Sequence, residues 1–130
     1  MSYNLPEVSN NAGEVPAIST PIGSAPEELI SADIIVGSGT EVKSTSTLTV
    51  HYVLMAWSTG KIIESSWRGE PATFPLAHVV EGWQKGLPGA KTGGRRLLVL
   101  PPSMGYGAAG AGPIGPNETL IFVVDIIGVA

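Results

Sequence analysis

Residues 75–91, PLAHVVEGWQKGLPGAK, form the stretch that decides the fold. Pro75 can open a helix here, because proline at the first helical position loses no hydrogen bond, and the glycine- and proline-containing run 86–89 supplies a stop signal. The rest of the chain is β-like, so we expect one short helix to lie across a sheet, with Trp83 as the floor of a pocket. Five apolar residues recur at the spacing of an amphipathic helix: Leu76, Val79, Val80, Trp83 and Leu87.

Five stretches rich in β-forming residues surround this helix and predict strands. The second of them has apolar residues on both faces, which indicates a strand with other elements packed on each side. A glycine- and proline-rich flap, residues 103–119, precedes the last strand and contains no expected helix or strand. Together these elements predict an α+β fold with five or six antiparallel strands. The strands are expected at residues 28–36, 47–57, 62–66, 95–100 and 120–129.

Composition and charge exclude several classes of protein. A chain of 130 residues is long enough for one domain with a real core, and without cysteine it has neither disulfides nor thiolate metal ligands. Residues 1–33 carry five acidic residues and no basic one, whereas the remainder carries seven basic and six acidic residues. Because nucleic-acid binding requires a concentrated basic face, we expect no nucleic-acid partner.

The ends of the chain carry few signals of their own. No apolar run is long enough for a membrane span, and the N-terminus lacks the basic and apolar regions of a signal peptide, so we expect a cytoplasmic protein without a membrane partner. Residues 1–26 show no periodicity and contain four prolines, which predicts an extended or disordered acidic lead, with partial docking on the domain as the alternative. The folded domain is expected to span residues 27–130.

Two groups of residues suggest chemistry but lack the context for it. The flap glycines formally match a dinucleotide-binding loop, yet Pro113 and Pro116 prevent the helix that such a loop must open. His51 and His78 are the only histidines, and no nucleophile, acid–base pair or ligand cluster accompanies them. We therefore expect His51 to be packed or hydrogen-bonded, His78 to face solvent, and the protein to hold no metal and no cofactor.

The remaining candidates are apolar and aromatic residues, most of which are simplest to interpret as core. Tyr106 differs, because it lies in a glycine-rich loop with little core nearby, so lining a site is as reasonable as packing. With these residues assembled, the chain from Glu27 to Ala130 strongly resembles the FKBP-type peptidyl-prolyl cis-trans isomerases of the single-domain, bacterial kind. The matching residues are collinear: Thr49-Val50-His51-Tyr52, Gly60-Lys61, Glu64-Ser65-Ser66, Val79 to Trp83, Gly86, Gly93, Pro102, Tyr106-Gly107 and Leu120-Ile121-Phe122.

The resemblance implies a fold and an activity. The fold would be a five- or six-stranded antiparallel β-sheet wrapped around one short α-helix, with the ligand pocket between them. The activity would be isomerisation of X-Pro peptide bonds, which assists protein folding. The implied partners are proline-containing polypeptides and macrolides of the tacrolimus/rapamycin type, bound by a monomer.

The resemblance also assigns roles by position. Tyr106 would donate its hydroxyl to a bound carbonyl, and the amide of Val80 would contact the ligand. Ile63 and Ala72 stand where the family usually has aromatic residues, so the pocket should be more open. Glu64 stands where a shorter aspartate is usual, which keeps a polar contact but moves it by a methylene. These three departures should weaken macrolide binding. The catalytic positions fall on Tyr52, Glu64, Trp83, Tyr106 and Phe122, and the substrate-binding positions on Ile63, Val79, Val80 and Ile114.

An apolar pocket suits this reaction. Rotation about an X-Pro bond must overcome a barrier of about 18–20 kcal/mol that comes from C–N resonance, and no bond to a nucleophile has to form. The twisted amide is less dipolar than the planar one, so a dry pocket favours it. Two alternatives stay open: a non-catalytic proline-peptide binding or chaperone module on the same fold, and a β-rich structural or adhesion module whose aromatic residues are only core.

Overall fold

The computed structural model describes residues 5–130 as six β-strands, one α-helix and two short 3₁₀ helices. No helix in this range is long and apolar enough to cross a membrane. The strands are β1 (Ile30–Ile35), β2 (Thr47–Ala56), β3 (Ile62–Ser65), β4 (Ala72–Pro75), β5 (Arg95–Leu100) and β6 (Leu120–Val129), the helix is α1 (Glu81–Gly86), and the 3₁₀ helices are Leu76–His78 and Pro102–Met104.

All six strands belong to one antiparallel sheet whose centre is formed by the ten-residue strands β2 and β6. The order across the sheet is β1-β5-β6-β2-β3, and β4 also pairs with β2. β3 pairs with the second half of β2 and β4 with its first half, at residues 47–50. The predicted α+β fold is thereby confirmed. β4 was not predicted, because a four-residue strand that ends in proline carries little signal of its own.

The helix is shorter than the sequence predicted. α1 begins at Glu81, and Pro75 ends β4 instead of opening the helix. Residues 76–78 form a single 3₁₀ turn, and Val79 and Val80 then have extended backbones, with ψ angles of 175° and 152°. The apolar spacing was misleading because side chains from a 3₁₀ turn, an extended link and a helix all reach the same core.

Two glycines allow α1 to lie directly against β5. A Cβ atom added at Gly82 would lie 2.2 Å from Cγ of Leu100, and one added at Gly86 would lie 2.7 Å from Cδ2 of Leu98. Any side chain at these positions would therefore push the helix away from the sheet. The close approach brings Trp83, the residue after the first of these glycines, into the core beneath the helix.

The sheet carries an apolar core on each of its faces, as the two apolar faces of β2 predicted. The face under α1, which we call the helix face, has the larger core, and this core includes Trp83. We call the opposite face the strap face, because residues 5–26, the strap, cover it. Six side chains of the strap face are buried, Met55, Trp57, Leu97, Val99, Ile121 and Val123, and Leu5, Val8, Ile18 and Ala25 pack on them.

A buried arginine holds the strap by polar contacts. Arg95 on β5 has an exposed fraction of 0%, and its guanidinium donates to the carbonyl oxygens of Ser9, Asn11 and Glu14. Its Nε donates to both carboxylate oxygens of Asp125, at 2.9 and 3.1 Å. Burial raises the pKa of the Asp125 carboxyl, although Arg95 pulls it in the opposite direction. The strap therefore supplies acceptors that the buried guanidinium would otherwise lack.

Partial docking on the domain was the alternative expectation for residues 1–26, and the strap, residues 5–26, docks in this way. It contains no helix and no strand between residues 5 and 26, only one isolated antiparallel bridge between Val8 and Ile18. The indole nitrogen of Trp57 donates to the carbonyl oxygen of Gly23 at 3.1 Å. Residues 1–4 of the predicted lead lie outside the described residues, and the predicted boundary between residues 26 and 27 stays a prediction.

Candidate active site

A cavity of about 460 Å³ opens on the helix face of the sheet. Its volume is typical of pockets that bind small ligands, which range over roughly 300–1,000 Å³. Four strands, α1, the link before α1 and the flap all contribute to its wall. The lining residues are Tyr52, Leu54, Glu64, Phe74, His78, Val79, Val80, Trp83, Tyr106 and Phe122.

The floor of the cavity is an aromatic cluster centred on Trp83, whose exposed fraction is 4%. Three rings meet the indole edge-on: Tyr52 at 5.7 Å, Phe74 at 5.8 Å and Phe122 at 5.3 Å between ring centroids, with interplanar angles of 80°, 81° and 86°. Edge-to-face contacts of this kind are favourable because the positive ring edge meets the negative ring face. The floor is thus a rigid apolar platform.

Tyr52 and Glu64 form a mutually satisfied pair in the wall. The hydroxyl of Tyr52 donates to Oε1 of Glu64. Burial raises the pKa of Tyr52 above its ordinary value, and the hydrogen bond and negative charge of Glu64, followed by Tyr106, raise it further. The phenol therefore keeps its proton at neutral pH, and it serves as a hydrogen-bond donor, never as a base, in the cavity.

Two donors remain free to meet a bound chain. Tyr106 lies in the flap with an exposed fraction of 38%, and no residue between 5 and 130 pairs with its hydroxyl. The backbone N–H of Val80 likewise has no acceptor among the described residues. Both groups line the cavity over the aromatic floor. They can hold a carbonyl group of a ligand at the apolar platform.

The cavity brings together seven of the nine residues to which the family resemblance assigned roles. All five positions predicted as catalytic line it, as do Val79 and Val80. Ile63 and Ile114 do not. Ile63 is half-buried and packs on the helix-face core, and Ile114 is 8% exposed within that core, where the short flap bridge to Ala111 folds it inward. The roles themselves stay predictions.

Three lining residues had no predicted role. Leu54 lies two residues beyond Tyr52 on the same face of β2, so strand alternation would have identified it. Phe74 lies on β4, the strand that was not predicted, and its ring lines the cavity and meets Trp83 edge-on. His78 is exposed as predicted, but it also lines the cavity.

His51 lies on the strap face, away from the cavity. Its Nδ1 is hydrogen-bonded to the hydroxyl of Ser66 at 2.9 Å, and its ring stacks on Trp67 at 4.3 Å between centroids. These contacts agree with the expectation of a packed, hydrogen-bonded residue. Within residues 5–130, no group of three or more His, Cys, Asp or Glu side chains is placed to bind a metal ion.

Known proteins are similar to this chain in sequence and in fold. The sequence model of the family described as FKBP-type peptidyl-prolyl cis-trans isomerase matches residues 38–127. A probable FK506-binding protein of Corynebacterium glutamicum is 46% identical over 115 residues, which cover 88% of this chain and 98% of that protein. An FK506-binding protein of Streptomyces anulatus is 44% identical over 121 residues, covering 89% and 98%. The crystal structure of FkpA from Escherichia coli matches with a TM-score of 0.73 and 38% identity, over 78% of this chain and 47% of that one.

Proposed function

The chain belongs to the FKBP-type peptidyl-prolyl cis-trans isomerases, and from this premise we propose that the aromatic cavity is where it rotates X-Pro peptide bonds. The observation that supports this location is the aromatic platform, in which three rings meet Trp83 edge-on beneath free hydrogen-bond donors. A proline ring is flat and apolar on its faces, and Trp83 offers a matching surface at the cavity floor.

The apolar floor would lower the part of the rotational barrier that comes from C–N resonance. A planar amide is strongly dipolar because of C–N resonance, and it loses dipole as it twists. Transfer from water to the platform therefore disfavours the planar form more than the twisted form, and this difference lowers the barrier. Because no proton has to move and no covalent bond to the enzyme has to form, the cavity needs no acid–base pair.

The free donors would hold the peptide in place while the X-Pro bond rotates. The Tyr106 hydroxyl would donate to a substrate carbonyl, and the Val80 N–H would hold a second point of the peptide backbone. Donors fixed in place before the substrate arrives require little rearrangement during the twist, so they stabilise the twisted amide selectively. Tyr52 and Glu64, which satisfy each other, would shape the wall without competing for the substrate.

The test is NMR exchange between the cis and trans forms of a Leu-Pro peptide, with and without micromolar protein. We expect the native protein to accelerate exchange and Tyr106→Phe to lower the acceleration about fivefold, which corresponds to one hydrogen bond of about 1 kcal/mol. The amide spectrum of the variant should change only near the flap. A folded native sample that leaves the exchange rate unchanged would refute the proposal.

We extend the proposal to finer properties of the protein. Proline-containing segments of unfolded chains would be its substrates, so that it assists folding as a monomer in the cytoplasm. Macrolides of the tacrolimus/rapamycin type would compete for the same cavity. Their affinity would be lowered by the aliphatic residues at positions 63 and 72. Competition between such a macrolide and the Leu-Pro peptide in the same exchange assay tests this.

A further inference from the structure

The link before α1, residues 79 and 80, has one backbone group without a partner among residues 5–130, the Val80 N–H. The Val79 N–H donates to the carbonyl oxygen of Leu76 at 3.4 Å. The Val80 carbonyl oxygen accepts from the backbone N–H groups of Trp83 and Gln84, at 3.0 and 3.3 Å. The Val79 carbonyl oxygen accepts from the side chain of Gln84. The pairing within the link therefore spares only the donor that the proposed function uses.

The side chain of Gln84 holds the other end of the peptide group that carries this N–H. The Val79 carbonyl and the Val80 N–H belong to one planar trans peptide group, so they point in opposite directions. Nε2 of Gln84 lies 2.7 Å from the Val79 carbonyl oxygen, so the Val80 N–H points away from Gln84. Both valines line the cavity, whereas Gln84 is not among its lining residues. The side chain thus fixes the direction of the donor from outside the cavity.

The same amide also ties the preceding turn to α1. Nε2 of Gln84 lies 3.4 Å from the carbonyl oxygen of Ala77, in the 3₁₀ turn Leu76–His78. A side-chain amide carries two N–H donors, so one nitrogen can serve both carbonyl groups. The link has no helix or strand partner of its own, and its peptide group could otherwise turn about the ψ angle of Val79 and the φ angle of Val80. The two contacts oppose this rotation.

We propose that Gln84 is a positioning residue of the cavity, which orients the Val80 N–H toward a substrate carbonyl group. This inference rests on the proposed function of the same cavity. A donor that is already oriented requires little rearrangement when the substrate binds and the X-Pro bond twists. The hydrogen bond to the Val79 carbonyl also polarises the shared peptide group, which makes its N–H a stronger donor. Gln84 itself does not contact the substrate.

The sequence allows both ends of this peptide group to be observed by NMR. The chain contains two Val-Val pairs, at residues 79–80 and 123–124. Protein labelled with ¹³C at valine carbonyl carbons and with ¹⁵N at valine nitrogens therefore gives two carbonyl-to-amide correlations. One reports the Val79 carbonyl and the Val80 N–H together. The other comes from buried residues of β6 that do not line the cavity, so it is an internal control for the fold. Saturation with the Leu-Pro peptide should move the Val80 proton signal downfield.

Two variants of Gln84 remove the contact in different ways. Gln84→Met keeps the length of the side chain without a donor, and Gln84→Glu offers only acceptors at pH 7. Both should lower the acceleration of Leu-Pro exchange about threefold, less than the roughly fivefold cost of a whole hydrogen bond. Both should also move the Val79 carbonyl signal and reduce the shift that the peptide causes at Val80. Because Gln84 is exposed, the Val124 signal should stay in place.

Lys85→Met is the matched control, since Lys85 is the next residue of α1 and its side chain pairs only with Glu81, at 3.4 Å. It should change neither the exchange rate nor the Val80 signal. Native protein that leaves Leu-Pro exchange unchanged would refute the proposed function. Native acceleration that is undiminished in both Gln84 variants would refute only the role of Gln84. Lower rates with an unaltered peptide-induced shift at Val80, or an equal loss in Lys85→Met, would refute that role as well.

Discussion

The two faces of the same sheet are covered in opposite ways. On the helix face, α1 and the flap leave about 460 Å³ open above an aromatic floor. On the strap face, residues 5–26 cover six side chains that are all at least nine-tenths buried, and the ion pair beneath them, Arg95 with Asp125, is buried as well. One face holds an open cavity above its aromatic core, and the core of the other face is covered by the strap.

This difference indicates which face contributes mainly to stability and which contributes mainly to function. A cavity lowers stability because its lining atoms lack packing partners. The strap face offsets this loss, because its six core side chains are buried and the Arg95 guanidinium has hydrogen-bond acceptors. We therefore expect substitutions on the strap face to change mainly the free energy of unfolding, and substitutions on the helix face to change mainly the exchange rate.

The largest effect is expected from Arg95→Ala. The variant leaves the Asp125 carboxyl without its partner and removes the donor to three strap carbonyl groups, which should lower the free energy of unfolding by about 3–5 kcal/mol. Urea denaturation at pH 7 measures this. Lys85→Ala, which removes an exposed ion pair, is the matched control and should cost less than about 1 kcal/mol.

The pH dependence of the same variant sharpens this prediction. Without Arg95, burial raises the pKa of Asp125 further, so the folded state binds a proton more readily than the unfolded state. Stability then rises as the pH falls. The deficit of Arg95→Ala should therefore shrink between pH 8 and pH 5. A deficit that grows on acidification would show that the buried pair is not what holds the strap.

A second comparison uses two neighbours on β6 that point to opposite faces. Val123→Ala removes two methyl groups from the strap-face core and should lower the free energy of unfolding by about 2 kcal/mol, with unchanged exchange per folded molecule. Phe122→Leu removes a ring that meets Trp83 edge-on at 5.3 Å, and it should lower the exchange rate about fivefold. Equal losses of activity in the two variants would contradict the division between the faces.

The smallest effect concerns the cavity wall at alkaline pH. The raised pKa means that folded Tyr52 keeps its proton where the unfolded chain loses it, near pH 10. Its contribution to stability is therefore complete below pH 10 and is lost as the pH rises above that value. Between pH 9.5 and pH 11, the free energy of unfolding of the native protein should fall further than that of Tyr52→Phe. The difference between the two changes should be less than about 1 kcal/mol, since the site is partly open to solvent. Parallel denaturation curves for the two proteins would contradict it.

Most of the sheet could be predicted from local patterns. The closing strand was expected at residues 120–129 and the preceding one at 95–100, and β6 and β5 occupy these ranges. Both strands are long apolar runs bounded by turn residues, so their signal is strong. The start of α1 could not be predicted in this way, since Val79 and Val80 face the core from an extended link.

The site was predicted less completely than the sheet. The resemblance placed Trp83 and Tyr106 in one cavity, and the structure brings them together there. It placed Ile114 at the flap tip as a substrate-binding residue, and in the structure this side chain lies in the helix-face core. Phe74 and His78 gave no usable signal, because their contributions depend on how β4 and the link before α1 pack against the helix.

The antiparallel sheet with apolar residues on both faces of β2, the single helix and the family to which the chain belongs could all be inferred from the sequence. Alternation, turn residues and collinear motifs act over short distances along the chain, so they can be seen without the fold. Only the tertiary structure decided that the strap covers the second face, because Arg95 reaches its acceptors across 86, 84 and 81 residues. Such contacts form only if the hydrogen bonds to distant carbonyl groups offset the cost of burying the charge. No local pattern of residues shows whether they do.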